Sequence, residues 1–251
     1  MNRRRWVDAA AITLAVAVVV GLGFATRQEE TVRMTVQPST VSIERPQPAQ
    51  HEHPSALYIG DSYPFGTGPE EMSYACMAAR RLNWFCHLSA LPGTGYISGG
   101  PANRFLVDPY LGMSTSFIER IPQLASVYEP DFVIFDGGRN DSLAPSEDVF
   151  KAMAATIGEA RQVWPAAEIA VIRPRFLARP GDDLGYDDAF FKRLESTVRG
   201  VVILDPIYAL ADTNTAPMLI EDGIHPNRQG ELAITAPLVK ALAPLHLAVP
   251  T

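Results

Sequence analysis

The 251 residues carry 28 Asp and Glu against 21 Lys and Arg, a formal net charge of −7, which argues against the basic footprint of a nucleic-acid-binding protein. The chain from Ser55 onward, which holds the acidic excess, is long enough to bury one core.

In chain order, Arg3, Arg4 and Arg5 precede an uncharged run over 9–26 rich in Ala, Val, Leu and Ile. As a helix this run would rise about 27 Å, close to the ~30 Å of a bilayer core, and the arginines place the N-terminus inside. Two readings follow for 1–26: a single-pass signal anchor, or a signal peptide cleaved after the small residues of Gly23-Phe24-Ala25. Both make the rest of the chain extracytoplasmic, held at the cell membrane in the first case and secreted in the second. No cysteine ends the run, so a lipid anchor is disfavoured. Residues 27–54, with Pro38, Pro46, Pro48 and Pro54 and few large apolar side chains, read as a disordered Pro-rich linker. His51-Glu52-His53 lacks the further ligands a metal would need and reads as solvated linker.

Beyond it, β-rich runs at 56–60, 84–89, 131–136, 168–173 and 201–205 alternate with helix-length segments at 69–82, 114–128, 146–163, 186–198 and 227–243. That alternation predicts an α/β fold, a five-stranded parallel sheet between two helical layers in a flavodoxin-like three-layer sandwich, over 55–247. Ligand sites in such sheets lie at the carboxyl ends of the strands.

Polar motifs fall at those ends. Gly60-Asp61-Ser62 follows the first strand, Leu91-Pro92-Gly93-Thr94-Gly95 the second, and Gly138-Arg139-Asn140-Asp141 the third, while Asp222-Gly223-Ile224-His225-Pro226 precedes the last helix. Ser62 is a poor nucleophile as an alcohol and needs a base within reach. Of the five histidines, His51 and His53 lie in the linker, His87 in a short apolar strand and His246 in the terminal tail, which leaves His225, in a loop with an acidic neighbour. Asp222 would orient its imidazole and balance the imidazolium that forms. The backbone N–H groups of Ser62 and Gly93 and the Asn140 side-chain amide are candidate oxyanion donors, with Gly95 the alternative to Gly93. Asp61 and Asp141 read as loop-holding carboxylates.

This set, in this order, resembles the SGNH (GDSL-type) hydrolase family over about 55–245. The resemblance implies the SGNH hydrolase fold, a Ser62–His225–Asp222 triad and a Ser62, Gly93, Asn140 oxyanion hole, with no cofactor and no metal. The implied function is an exported serine esterase that releases a short acyl or acetyl group, on an envelope or extracellular glycan or another small ester, through an acyl-enzyme on Ser62. An O-acyltransferase using the same intermediate and a catalytically idle, membrane-tethered glycan-binding module are the alternatives. Gly66-Thr67-Gly68 lacks the third glycine of a dinucleotide signature, since Glu71 stands there, and Ser62 does not sit in a Gly-x-Ser-x-Gly elbow. Cys76 and Cys86 read as a disulfide, against two buried thiols. The loops 98–113 and 173–188 are expected to shape substrate choice, and Asp182, Asp183, Asp187 and Asp188 read as caps and solvated charge.

Overall fold

The structure is a computed structural model that describes residues 53–246. The expected membrane segment and nearly all of the linker lie outside the described residues. Within them no helix is long and apolar enough to cross a membrane.

Five parallel strands form the sheet, in the order β2 (Phe85–Ala90), β1 (Ser55–Gly60), β5 (Phe132–Asp136), β6 (Glu168–Ile172) and β7 (Val201–Leu204). The two intervening strands, β3 (Leu106–Asp108) and β4 (Gly112–Met113), make a separate antiparallel hairpin. Every residue of β1 and β5 is buried. Alternate side chains of β1 therefore serve opposite cores, because successive residues of a strand point to opposite faces. Ala56 and Tyr58 join Ile134, Leu238 and Leu242 on one face, whereas Leu57 and Ile59 join Val133, Phe135 and Ile157 on the other. Each fully buried aliphatic side chain contributes about 1.5–3 kcal/mol, so the two layers act as opposed clamps on one sheet.

The helices are α1 (Ser62–Phe65), α2 (Tyr74–Arg81), α3 (Phe117–Ala125), α4 (Ser146–Val163), α5 (Asp188–Thr197) and α6 (Arg228–His246). The expected strand and helix order is observed, with two local departures. The helix expected over 69–82 begins only at Tyr74. Ser73 breaks it by taking extended backbone and capping the Ala75 N–H, while Glu70–Met72 forms a single 3₁₀ turn. The loop expected over 98–113 contains the β3–β4 hairpin, which Asp108 closes by accepting from the Tyr110 and Leu111 N–H groups.

Cys76 on α2 and Cys86 on β2 form a disulfide with Cα atoms 5.3 Å apart. It ties α2 to β2, which among the described residues has a sheet partner on one side only.

Candidate active site

Gly60 ends β1 where the chain must turn sharply. A side chain there would come within 2.7 Å of the Asp136 carbonyl and would strike the Pro64 ring. Asp61 then caps α1, accepting from the Tyr63 N–H at 2.9 Å, and its own N–H bonds the Asp136 carbonyl at 3.2 Å. Ser62 is thus the first residue of a short helix joined to the ends of two central strands. Its side chain is half-buried and its Oγ lies 2.8 Å from Nε2 of His225.

The histidine reaches it from a loop bounded by the Leu219–Pro226 bridge. Asp222 organises that loop: Oδ1 accepts from the N–H groups of Ile224 (2.8 Å) and His225 (3.0 Å), and Oδ2 lies 2.6 Å from the imidazole Nδ1. The His225 bonds, and the bond from Ile224, lower the Asp222 carboxyl to about 2, so it is ionised across the neutral range. An ionised carboxylate only accepts, so Nδ1 carries the proton. In the neutral imidazole Nε2 is then the acceptor, and the Ser62 hydroxyl donates to it. Ser62, His225 and Asp222, drawn from two ends of the domain, form one directed chain of hydrogen bonds.

The other expected residues lie on the same edge. Gly93, just beyond β2, has φ +76°, and a Cβ there would meet the Phe105 ring at 2.7 Å, so glycine serves both the backbone conformation and the close ring contact. Gly95 donates its N–H to the Ser98 carbonyl at 3.0 Å, which commits that donor and leaves Gly93 as the stronger oxyanion candidate. Asn140 donates one N–H of its amide to the Thr94 carbonyl at 2.8 Å, using one of the two its Nδ2 carries. Asp141 accepts from the N–H groups of Tyr96 (2.7 Å), Ile97 (3.2 Å) and Ser98 (2.8 Å). The Asn140-Asp141 pair therefore fastens the 93–98 loop to the end of β5.

Three buried charges escaped the sequence reading. Arg139, 2% exposed, donates to both oxygens of Asp61 (3.2 Å each), to Asp136 (3.1 Å) and, through Nε, to the Arg175 carbonyl (2.8 Å). Tyr74 donates to the other oxygen of Asp136. The two carboxylates hold Arg139 charged against its burial, and burial raises the Asp61 carboxyl although Arg139 pulls it down. Arg120, on the inner face of α3 beside Phe117 and Ile121, donates to the carbonyls of Gly60 and Ser89 and to the Thr94 hydroxyl. Burial pulls its guanidinium below the usual value. A signal existed for Arg120, which falls on the apolar i, i+3, i+4 stripe of its helix. Asp136 reads as the last residue of a strand and Arg139 as part of the loop after it until the strands are brought together.

The 173–188 loop borders a cavity of about 470 Å³ with Arg173, Arg175, Asp187, Asp205 and Tyr208 among its lining. Its aspartates serve the local fold: Asp182 and Asp183 accept from the Leu184 and Gly185 N–H groups, Asp187 caps α5, and Asp188 pairs with Arg173 at 2.6 Å.

No protein-family model and no curated protein matches the sequence. Solved structures do match in fold. The esterase EstA from Pseudoalteromonas sp., inhibited by monoethylphosphonate, is 15% identical with a TM-score of 0.57, over 77% of this chain and 98% of that one. Est24, a carbohydrate acetylesterase from Sinorhizobium meliloti, is 18% identical with a TM-score of 0.58, over 76% and 99%. A family two carbohydrate esterase from Clostridium thermocellum in complex with cellohexaose is 20% identical with a TM-score of 0.58, over 79% of this chain and 66% of that one. The chain has the fold of the SGNH esterases, as the motifs led us to expect.

Proposed function

We propose that the protein is an exported serine esterase that removes a short acyl group, acetyl above all, from a glycan through an acyl-enzyme on Ser62. The observation that carries this reading is the directed relay in which Ser62 donates to His225 and His225 donates to an ionised Asp222. As Ser62 Oγ attacks the ester carbon, its proton passes to His225 Nε2, and Asp222 balances the imidazolium. Charge then grows on the former carbonyl oxygen, where the N–H groups of Ser62 and Gly93 and the free N–H of Asn140 act as donors. Expulsion of the alcohol takes the proton back from His225. Water, deprotonated by the same imidazole, then attacks the acyl carbon; its bond to Ser62 Oγ breaks, Ser62 takes the proton back from His225, and the acid leaves.

The glycan assignment is supported by the similarity to a carbohydrate acetylesterase and to a carbohydrate esterase that holds cellohexaose. Export is supported by the arginine-flanked apolar run, and by the Cys76–Cys86 disulfide, a bond that persists in oxidising compartments. With the apolar run as a signal anchor, the catalytic domain works outside the cell at the end of the 27–54 spacer.

A membrane-impermeant fluorophosphonate, applied to intact spheroplasts and separately to lysate, tests chemistry and location together. We expect labelling from outside, at Ser62, and none in Ser62→Ala of unchanged melting temperature. Labelling at another serine, or none even in lysate, would refute the hydrolase; labelling only after lysis would refute export.

A further inference from the structure

The residue after the nucleophile, leucine in the GDSL name of the family, is Tyr63 in this chain. Its side chain is fully buried, and its hydroxyl makes two bonds that no leucine could make. It donates to the Ile224 carbonyl at 2.8 Å and accepts from the Leu177 N–H at 2.9 Å. Ile224 immediately precedes His225, and Leu177 lies in the segment that follows β6. One hydroxyl thus joins the nucleophile turn, the histidine loop and the 173–188 loop.

The ring beneath that hydroxyl is fixed as well. The Arg139 guanidinium carbon lies 3.9 Å from its centroid, a cation–π contact in the buried charge cluster. The His225 and Phe176 rings lie at 6.0 and 6.1 Å from it. The tyrosine ring is therefore held by Arg139, with its hydroxyl bonded to the residue before His225. Burial raises its hydroxyl to about 12, so it stays a donor throughout the neutral range.

We propose that Tyr63 is a positioning residue for this reaction: by bonding the Ile224 carbonyl it sets the distance between His225 Nε2 and Ser62 Oγ. The proposal rests on the esterase reading above. Ile224 and Asp222 are exposed, and among the described residues Asp222 bonds only within the 222–225 turn, so besides the His225–Ser62 bond itself the Tyr63 bond ties the turn to the buried nucleophile end. An imidazole released to wander by about 1 Å would lose most of its value as a base.

The test is Tyr63→Phe in the full-length protein, which keeps the ring on Arg139 and removes the hydroxyl. With an acetyl ester we expect kcat to fall about 10- to 100-fold with KM unchanged within about twofold. The rate of fluorophosphonate labelling at Ser62 should fall with kcat, and the downfield proton resonance of the His225–Asp222 bond should broaden. A fall in melting temperature with kcat intact would mean that Tyr63 is a packing residue only, and would overturn the proposal. The unmodified protein gives a second measurement that does not depend on the variant folding. The Leu177 and His225 amides should be protected from hydrogen exchange and open together, and independent opening would also overturn it. Wild-type protein that neither hydrolyses the ester nor takes the label would instead refute the esterase reading, whatever Tyr63→Phe does.

Discussion

Ser62 and His225 meet at 2.8 Å, yet the regions that carry them are built in opposite ways. The nucleophile end is buried: Asp61 and Asp136 are fully enclosed, Arg139 bridges them, and Gly60 packs against the next strand with no room for a side chain. The base end is open. Asp222 is exposed, and apart from the Tyr63–Ile224 bond and the His225–Ser62 bond its loop is organised by bonds between residues two to five apart. The difference sets a buried, charge-paired Ser62 turn against an exposed histidine loop. Buried ion pairs tolerate no loss of a partner, because the remaining charge would be stranded away from water. An exposed carboxylate is free of that penalty, and the hydrogen bonds from His225 and Ile224 hold Asp222 further below its ordinary value.

The largest effect expected from this contrast is at the open end. Asp222→Asn should leave the melting temperature nearly unchanged, since the side chain is exposed and an amide oxygen can still accept from the backbone. The catalytic loss should nevertheless be on the order of 10³–10⁴-fold in kcat, because an amide offers the imidazole a donor, permits the wrong tautomer and cannot balance the imidazolium. A pH–kcat profile of the variant lying on that of the wild type would break the assignment of Asp222 as the orienting acid.

Asn140 sits between the two regimes. It is exposed, but its amide bonds the Thr94 carbonyl, so it both fastens the Gly93 loop and offers a donor to substrate. Asn140→Ala should lower kcat about 10²–10³-fold, or about 2.7–4 kcal/mol, with KM little changed. The lost bond to Thr94 should cost about 1 kcal/mol of stability. Near-normal kcat together with a lower melting temperature would make it a loop fastener only.

The contrast also explains what could be read from the sequence. The five strands are short β-rich runs and the main helices are long amphipathic segments, so their order was legible locally. The candidate site was legible because three of its motifs stand at the ends of such strands and the fourth just before the last helix. The Arg139 cluster was not: Asp61 and Arg139 are 78 positions apart, and nothing local marks either as buried. Tyr63 was passed over for the same reason, since its partner Ile224 is 161 positions away. The helix expected over 69–82 starts later because Ser73 caps it at Tyr74. The β3–β4 hairpin escaped because its strands are three and two residues long.

The smallest expected effect lies where the two regions join. Glu231, in the first turn of α6, follows the histidine loop, is 2% exposed, and accepts from the Tyr74 N–H through Oε2 at 2.7 Å. Tyr74 in turn donates to Asp136 in the cluster beneath Ser62. The other Glu231 oxygen has no hydrogen-bond partner among the described residues, and burial pushes the carboxyl up to about 7 from an ordinary 4.5. With a folded value above the unfolded one, the native state keeps a proton that the unfolded chain has released. Stability from this group is therefore greatest below about pH 4.5 and is lost as the pH rises towards 7. Glu231→Gln keeps an acceptor for Tyr74 and has no proton to lose. Its melting temperature should gain on the wild type across that window by several degrees, on the order of 2 kcal/mol, and the gap should then stay constant above it. Parallel curves from pH 4 to 8 would show that Glu231 reaches water, and that the seam between the buried and open regions is wetter than its 2% exposure implies.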